Sequence, residues 1–208
     1  MKALIIVDMQ NDFLNGGPLA VPASDEIIPI VNNIQQYFDL VVATQDWHPS
    51  NHKSFASNHP GKKPFEEIEV NGKPQTLWPD HCIQGTVGAQ FSALVNLNRV
   101  EAIFRKGTDI EIDSYSGFYD NCHQKATGLS DYLKGKGVTK VYFAGLAGDI
   151  CVYFSVLDSL SEGFKTFLME DAVRSIDPEK FKQVKADIVA RGGRVINSND
   201  VKIPTALT

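Results

Sequence analysis

Lys140-Val141-Tyr142-Phe143-Ala144-Gly145-Leu146-Ala147-Gly148-Asp149-Ile150-Cys151-Val152 reads as a strand, a glycine-marked turn and the start of a helix. A short apolar run bounded by turn residues fits a strand buried in a parallel sheet. From Val152 to Leu160 the apolar spacing becomes amphipathic and helical. A strand that feeds straight into a helix is half of a βαβ unit, which predicts an α/β fold with a mostly parallel sheet. Cys151 then stands at the junction. In open α/β sheets ligands bind at the carboxyl ends of strands. A helix N-terminus offers unpaired N–H groups and partial positive charge, and both favour a thiolate over a thiol. Gly145 and Gly148 open backbone angles that other residues avoid. This stretch alone fits an inert buried cysteine equally well, because small buried cysteines are common.

The same pattern recurs on both sides. Ala3-Leu4-Ile5-Ile6-Val7 is an apolar run ending at Asp8, and Leu40-Val41-Val42-Ala43-Thr44 is another, followed by Asp46-Trp47-His48-Pro49. Val100-Glu101-Ala102-Ile103-Phe104 ends at Arg105-Lys106-Gly107. Phe164 to Met169 ends at Glu170-Asp171-Ala172, and Arg194-Val195-Ile196 is a short final strand. Helices are predicted over Asp25 to Phe38 with Ser24 as N-cap, Phe91 to Leu97, Leu129 to Lys134, and Asp177 to Ala190. In the last, Asp177 is the cap and Pro178 the first helical residue. From Pro49 to Gly88 the chain is rich in Pro, Gly, Asn, His and Lys and reads as irregular, a length of loop that is usually functional or mobile. Alternating strands and helices give a parallel sheet with helices on both faces. No repeat or linker divides the sequence, so residues 1–208 are read as one domain.

With 208 residues, 43% hydrophobic and 22% charged, the composition is that of a globular chain able to bury a substantial core. The formal net charge of −5 and the lack of a basic stripe argue against a nucleic-acid partner. The apolar runs are too short to span a membrane, and none is followed by a signal-peptide cleavage pattern. Cys82, Cys122 and Cys151 are few, odd in number and widely spaced, a cytoplasmic pattern rather than a disulfide framework.

Three strand ends carry a reactive side chain: Asp8, Lys106 and Cys151. A parallel sheet brings all its carboxyl ends to one edge, so the three can meet. A cysteine nucleophile needs a base, which Asp8 can supply, and gains from a cation, which Lys106 can supply. Taken singly, a strand-end carboxylate that caps a turn and a solvated lysine are the better readings; taken together with Cys151, the catalytic reading leads. A second set is Asp46-x-His48 with a further histidine. Residues i and i+2 of an extended segment point the same way. Two histidines and a carboxylate suit zinc, iron or manganese with open positions for water or substrate. Spacing alone does not choose His81 over His52 or His59.

The segments Asp8-Met9-Gln10-Asn11-Asp12-Phe13, Gln45-Asp46-Trp47-His48-Pro49, Trp78-Pro79-Asp80-His81-Cys82, Lys106-Gly107, Asp113-Ser114-Tyr115-Ser116 and Gly145 to Val152 resemble, in order and over nearly the whole chain, the nicotinamidases. These are a branch of the isochorismatase-like cysteine hydrolases. The resemblance implies a doubly wound sheet and a triad of Asp8, Lys106 and Cys151. It implies that Asp46, His48 and His81 hold one divalent metal ion, often Zn2+, with Fe2+ or Mn2+ as alternatives. His52 and His59 then become loop or supporting residues. Phe13, Trp78 and Tyr115 would wall a pocket for a flat ring. A cis peptide at Leu146-Ala147 and an oxyanion hole formed by the amides of Ala147 and Cys151 are implied as well. The expected reaction is hydrolysis of nicotinamide to nicotinate and ammonia through a thioester, in NAD salvage. The expected setting is the cytoplasm, with neither nucleic-acid nor membrane partner and with a homo-oligomer open. The sequence departs from the pattern at Gly148, where threonine is usual, and at Ile150, where an aromatic residue or histidine is frequent. Gly148 therefore puts the rigidity of the oxyanion turn in question. Rival readings are another small amide or a vinyl ether as substrate, a binding module without catalysis, and a hydrolytic metal centre in which Cys151 is structural.

Overall fold

A computed structural model describes residues 1–70 and 72–202. Asn71 and residues 203–208, which the expected domain also spans, lie outside the described residues. In chain order the elements are β1 (Lys2–Val7), α1 (Ile28–Ile34), β2 (Leu40–Asp46), β3 (Glu67–Val70), β4 (Lys73–Thr76), β5 (Val100–Lys106), α2 (Leu129–Gly135), β6 (Lys140–Gly145), α3 (Cys151–Ser161), β7 (Lys165–Val173), α4 (Pro178–Ala190) and β8 (Arg194–Ile196). Six strands form one sheet in the order β5-β2-β1-β6-β7-β8, and every neighbouring pair is parallel.

The run from Ala3 to Val7 lies at the centre of the molecule, with no solvent exposure. Side chains of a strand alternate between faces. Leu4 and Ile6 enter one core with Val31 and Ile34 of α1. Ala3, Ile5 and Val7 enter the other, with Leu133 of α2, Val152 and Val156 of α3, and Ile188 of α4. Helices thus cover both faces, which is why these strands are continuously apolar instead of alternating. From β1 the order runs outward to β2 and β5; from β6 it runs the other way to β7 and β8. The winding reverses between β1 and β6. That crevice is where doubly wound sheets bind ligands. Asp8 follows β1 and the Gly145–Cys151 turn follows β6, so both stand at its mouth.

Several expectations are corrected. The helix expected over Asp25 to Phe38 is a 3-10 turn at Ser24–Ile27, α-helix at Ile28–Ile34 and a second 3-10 turn at Gln35–Tyr37. Pro29 lacks an N–H and suits the first turn of a helix better than its interior, so the α-helix begins beside it. Ser24 is no cap, and its hydroxyl has no partner among the described residues. Phe91 to Leu97 is not helical: Phe91 bridges to Gln10, and turns follow. There Asn32 of α1 donates to the carbonyl of Leu94 and accepts from the amide of Asn96, while the Gln35 side chain donates to the carbonyl of Asn96. Backbone groups already paired by a neighbouring element have no need of a helix. The segment read as irregular contains the β3–β4 hairpin, for which Gly72, with a φ of 76°, is the overlooked turn signal. Asp177 does cap α4, accepting from the amides of Glu179 and Lys180.

Candidate active site

Asp8 adopts a left-handed backbone conformation with φ of 47°, which aspartate tolerates better than most residues. Its Oδ1 accepts from the Thr44 hydroxyl at 2.6 Å and its Oδ2 lies 2.9 Å from Lys106 Nζ. Lys106 ends β5, with β2 between it and β1. Neighbouring strands are about 4.8 Å apart, so only a long side chain bridges that gap. Its ammonium reaches Asp46 Oδ1 at 2.7 Å, the Ser114 carbonyl at 3.1 Å and Cys151 Sγ at 3.4 Å. Carboxylate oxygens of Asp8 and Asp46 and the Cys151 sulfur all lie within 4.8 Å of one another. The three strand-end residues therefore meet, in full burial.

Burial sets their protonation. It raises Asp8 above the ordinary carboxylate value, and Lys106 only partly offsets this. It would lower Lys106, but Asp46 and Asp8 outweigh it and hold the lysine well above its usual value. Burial would raise Asp46 too; Lys106 and His48 reverse that and keep it well below. For Cys151 burial dominates: the thiol is pushed well above its ordinary value, although Lys106 pulls it down. Sequence reasoning weighed only the cation and the helix end, which favour thiolate. The resting site holds a thiol beside an elevated carboxylate, an arrangement for proton transfer during attack.

Asp46 faces two ways. Its Oδ1 meets Lys106, while Oδ2 lies 3.2 Å from His48 Nε2 and 3.5 Å from His81 Nε2. His48 Nδ1 donates to the Gly107 carbonyl at 2.8 Å and His81 Nδ1 to the Pro79 carbonyl at 2.8 Å. A carbonyl can only accept, so both rings carry a proton on Nδ1 and turn Nε2 toward Asp46. This is the donor set and tautomer that a divalent metal requires. The residues fit the ion the resemblance implies. His52 differs: its Nδ1 accepts from the Ser54 amide at 3.2 Å, its Nε2 has no partner among the described residues, and burial pushes it down to about 4. Its ring packs 4.4 Å from that of His48, in the supporting position expected of it. His59 bonds the Lys53 carbonyl instead.

Gly107 is required here. Its φ is +65°, and an added Cβ would lie 2.3 Å from His48 Cε1. Gly107→Ala is expected to displace His48 and to lower bound metal at least about tenfold, since fixing a ligand's orientation is typically worth 10–100-fold in affinity. Metal content after dialysis, measured by elemental analysis, checks this; wild-type content in the variant would mean that His48 is not a ligand.

Phe13, Trp78 and Tyr115 line one pocket with Asp46, His48, His81, Ala147 and Cys151. Trp78 Nε1 donates to the Tyr115 hydroxyl at 3.3 Å, and the two rings meet nearly at right angles. The Leu146-Ala147 peptide is cis. The Ala147 carbonyl accepts from the amides of Ile150 and Val152, and no acceptor takes the Ala147 or Cys151 amide among the described residues.

The isochorismatase domain model matches residues 2–200. The chain belongs to the isochorismatase family. It is 43% identical over 202 residues to a nicotinamidase of Acinetobacter baylyi, covering 97% of this chain and 94% of that one. Among solved structures, a nicotinamidase and pyrazinamidase of Acinetobacter baumanii superposes with a TM-score of 0.93 at 47% identity, covering 96% of this chain and 97% of that one. A pyrazinamidase of Pyrococcus horikoshii in complex with zinc gives 0.79 at 38% identity, covering 94% and 98%.

Within this isochorismatase fold, sequence reasoning missed the scaffold of the metal set. Gln10 brackets Asp46, donating to its carbonyl and accepting from its amide, each at 2.8 Å. Asp12 accepts from the Cys82 amide at 2.7 Å and so fixes the loop of His81. Both lie inside the quoted Asp8–Phe13 motif, but their partners are distant in sequence. Leu19 and Ile176 also line the pocket, and no local pattern marks them.

Proposed function

We propose that the chain hydrolyses nicotinamide to nicotinate and ammonia, the reaction of NAD salvage for which its relatives are named. The observation that carries the reading is the shared pocket: Cys151 opens into the same space as Asp46, His48 and His81, with Lys106 bridging the two sets from below.

Asp8 takes the Cys151 proton as sulfur attacks the carboxamide carbon. A C–S bond forms, and the carbonyl π electrons move to oxygen, which the amides of Ala147 and Cys151 receive. Positioned donors of this kind are typically worth about 3–4 kcal/mol each. Asp8 then gives its proton to the departing nitrogen, and ammonia leaves a thioester on Cys151. Asp8 next deprotonates water, which attacks the thioester; the C–S bond breaks and Asp8 returns a proton to sulfur. Lys106 holds Asp46 charged and keeps both carboxylates in place while Asp8 gains and loses its proton. Phe13, Trp78 and Tyr115 enclose the ring. Asp46, His48 and His81 would hold a divalent ion, for which the zinc of the Pyrococcus horikoshii protein makes Zn2+ the first choice. When bound, the ion supplies a Lewis-acidic anchor for the ring nitrogen.

His81→Ala is expected to lose most bound metal and to raise KM at least about tenfold while keeping the fold. Elemental analysis and circular dichroism check it. Ammonia release from nicotinamide by the zinc-loaded protein, compared with benzamide and with a vinyl ether of the isochorismate type, tests the substrate. Ammonia from nicotinamide alone supports the reading; none from a metal-loaded protein overturns it. We read residues 1–208 as one hydrolase domain acting in the cytoplasm, a reading supported by the family match over residues 2–200 and the sparse cysteines. No helix among the described residues is long and apolar enough to cross a membrane.

A further inference from the structure

The mechanism leaves several buried carboxylates unused, among them Asp113, Asp120, Asp149 and Asp158. Asp149 lies inside the turn that carries the Ala147 and Cys151 amides, and it is only 2% exposed. Its Oδ1 accepts from the amide of Ile176 at 2.9 Å and its Oδ2 from the amide of Asp177 at 3.1 Å. These residues join β7 to α4, and Ile176 is part of the pocket wall. One residue earlier, the Gly148 amide donates to the Arg174 carbonyl at 2.7 Å. A Cβ at Gly148 would lie 2.7 Å from both Phe181 Cε2 and Val173 Cγ1. The room a larger residue would take there is filled by Phe181, from the first turn of α4. Gly148 was expected to loosen the turn. Instead the turn is fastened at two successive residues to the β7–α4 connection, by charge-assisted hydrogen bonds at Asp149 and by packing at Gly148.

We propose that Asp149 is a positioning residue for the oxyanion hole, with Phe181 on Gly148 as the second half of the same clamp. The clamp sets where the Ala147 and Cys151 amides point relative to the pocket wall at Ile176. It touches neither substrate nor sulfur. Its contribution appears only when negative charge develops on the carbonyl oxygen, since two donors shifted by a fraction of an ångström lose a developing oxyanion more than a neutral ring. The inference rests on the amide-hydrolase reading above.

Two ligands separate the effects. Pyridine-3-carbaldehyde adds the Cys151 sulfur to its carbonyl carbon; the S–H bond breaks and its proton passes to Asp8, the π electrons go to oxygen, and with no leaving group the adduct stops there with its oxygen in the hole. 3-Methylpyridine has the same ring and no oxygen. In metal-loaded Asp149→Asn one backbone amide faces an NH2 group instead of an acceptor. This variant is expected to bind 3-methylpyridine within about twofold of wild type, and to lose about 10–100-fold in both kcat and aldehyde affinity. Phe181→Ala truncates a half-buried residue and keeps Asp149; it is expected to show the same selective loss, about 3–10-fold. Should Asp149→Asn not fold, Phe181→Ala carries the test. Parallel loss of both ligands, or unchanged aldehyde affinity in a folded variant, overturns the clamp. A wild type that binds no aldehyde and releases no ammonia overturns the hydrolase reading instead.

Discussion

Cys151→Ala is expected to release no nicotinate from nicotinamide, while keeping its fold and its capacity to bind a divalent metal. The substitution removes one sulfur from the first residue of α3. The cavity is small, so the cost in stability is about 1 kcal/mol. Lys106 keeps Asp8 at 2.9 Å and Asp46 at 2.7 Å, so no buried charge is stranded. The metal set is untouched, because His48 and His81 are oriented by backbone carbonyls and not by the thiol. The chemistry has no substitute: with alanine there is nothing to form the thioester. Losing the nucleophile of a concerted site typically costs about 10⁴–10⁶-fold in kcat. Nicotinate formation followed by chromatography, with metal content assayed on the same sample, decides it. A metal-loaded variant that retained even a tenth of wild-type turnover would make Cys151 structural and move hydrolysis to the Asp46, His48 and His81 set.

Lys106→Met is expected to remove both activity and several kcal/mol of stability. Methionine approximates the length of the lysine stem and leaves no large void. It takes away the cation that lies between the buried carboxylates of Asp8 and Asp46. Breaking such a group from one side costs about 3–5 kcal/mol, because the remaining charge is uncompensated. In a chain of this size that lowers Tm by roughly 10 °C. Asp8, already raised by burial, loses the cation that offsets this and goes up further, which shifts it toward its protonated form and away from accepting the Cys151 proton. Asp8→Asn/Lys106→Met removes one of the two charges and is expected to regain part of the lost Tm and none of the activity. Calorimetry of both variants checks this. A Tm within about 2 °C of wild type for Lys106→Met would mean that the carboxylates are satisfied without the lysine.

The strands were legible because their signal is local. Five apolar residues from Ala3 to Val7 can be continuous only if both faces are covered, and α1 on one side with α2, α3 and α4 on the other cover them. The meeting of Asp8, Lys106 and Cys151 was legible for a topological reason: parallel strands present their carboxyl ends at one edge, so residues remote in sequence converge whatever the strand order. The Phe91–Leu97 segment was misread because its apolar spacing is helical, while its backbone partners are side chains of α1 and of the turn after it, some sixty residues earlier.

Sequence by itself therefore determined the α/β class and the candidate nucleophile, which follow from residue type and local order, while His81 was singled out among the candidate metal donors by the family resemblance and not by spacing. Only the tertiary structure decided the rest. It placed β5 beyond β2, so that Lys106 must reach across and touch Asp46 on the way to Asp8. It buried Cys151 deeply enough for desolvation to outweigh the pull of Lys106. It filled the space at Gly148 with Phe181 from a helix thirty residues on. Each of these depends on which distant groups share a volume from which water is excluded, and that is a property of the packed chain, absent from any local stretch of it.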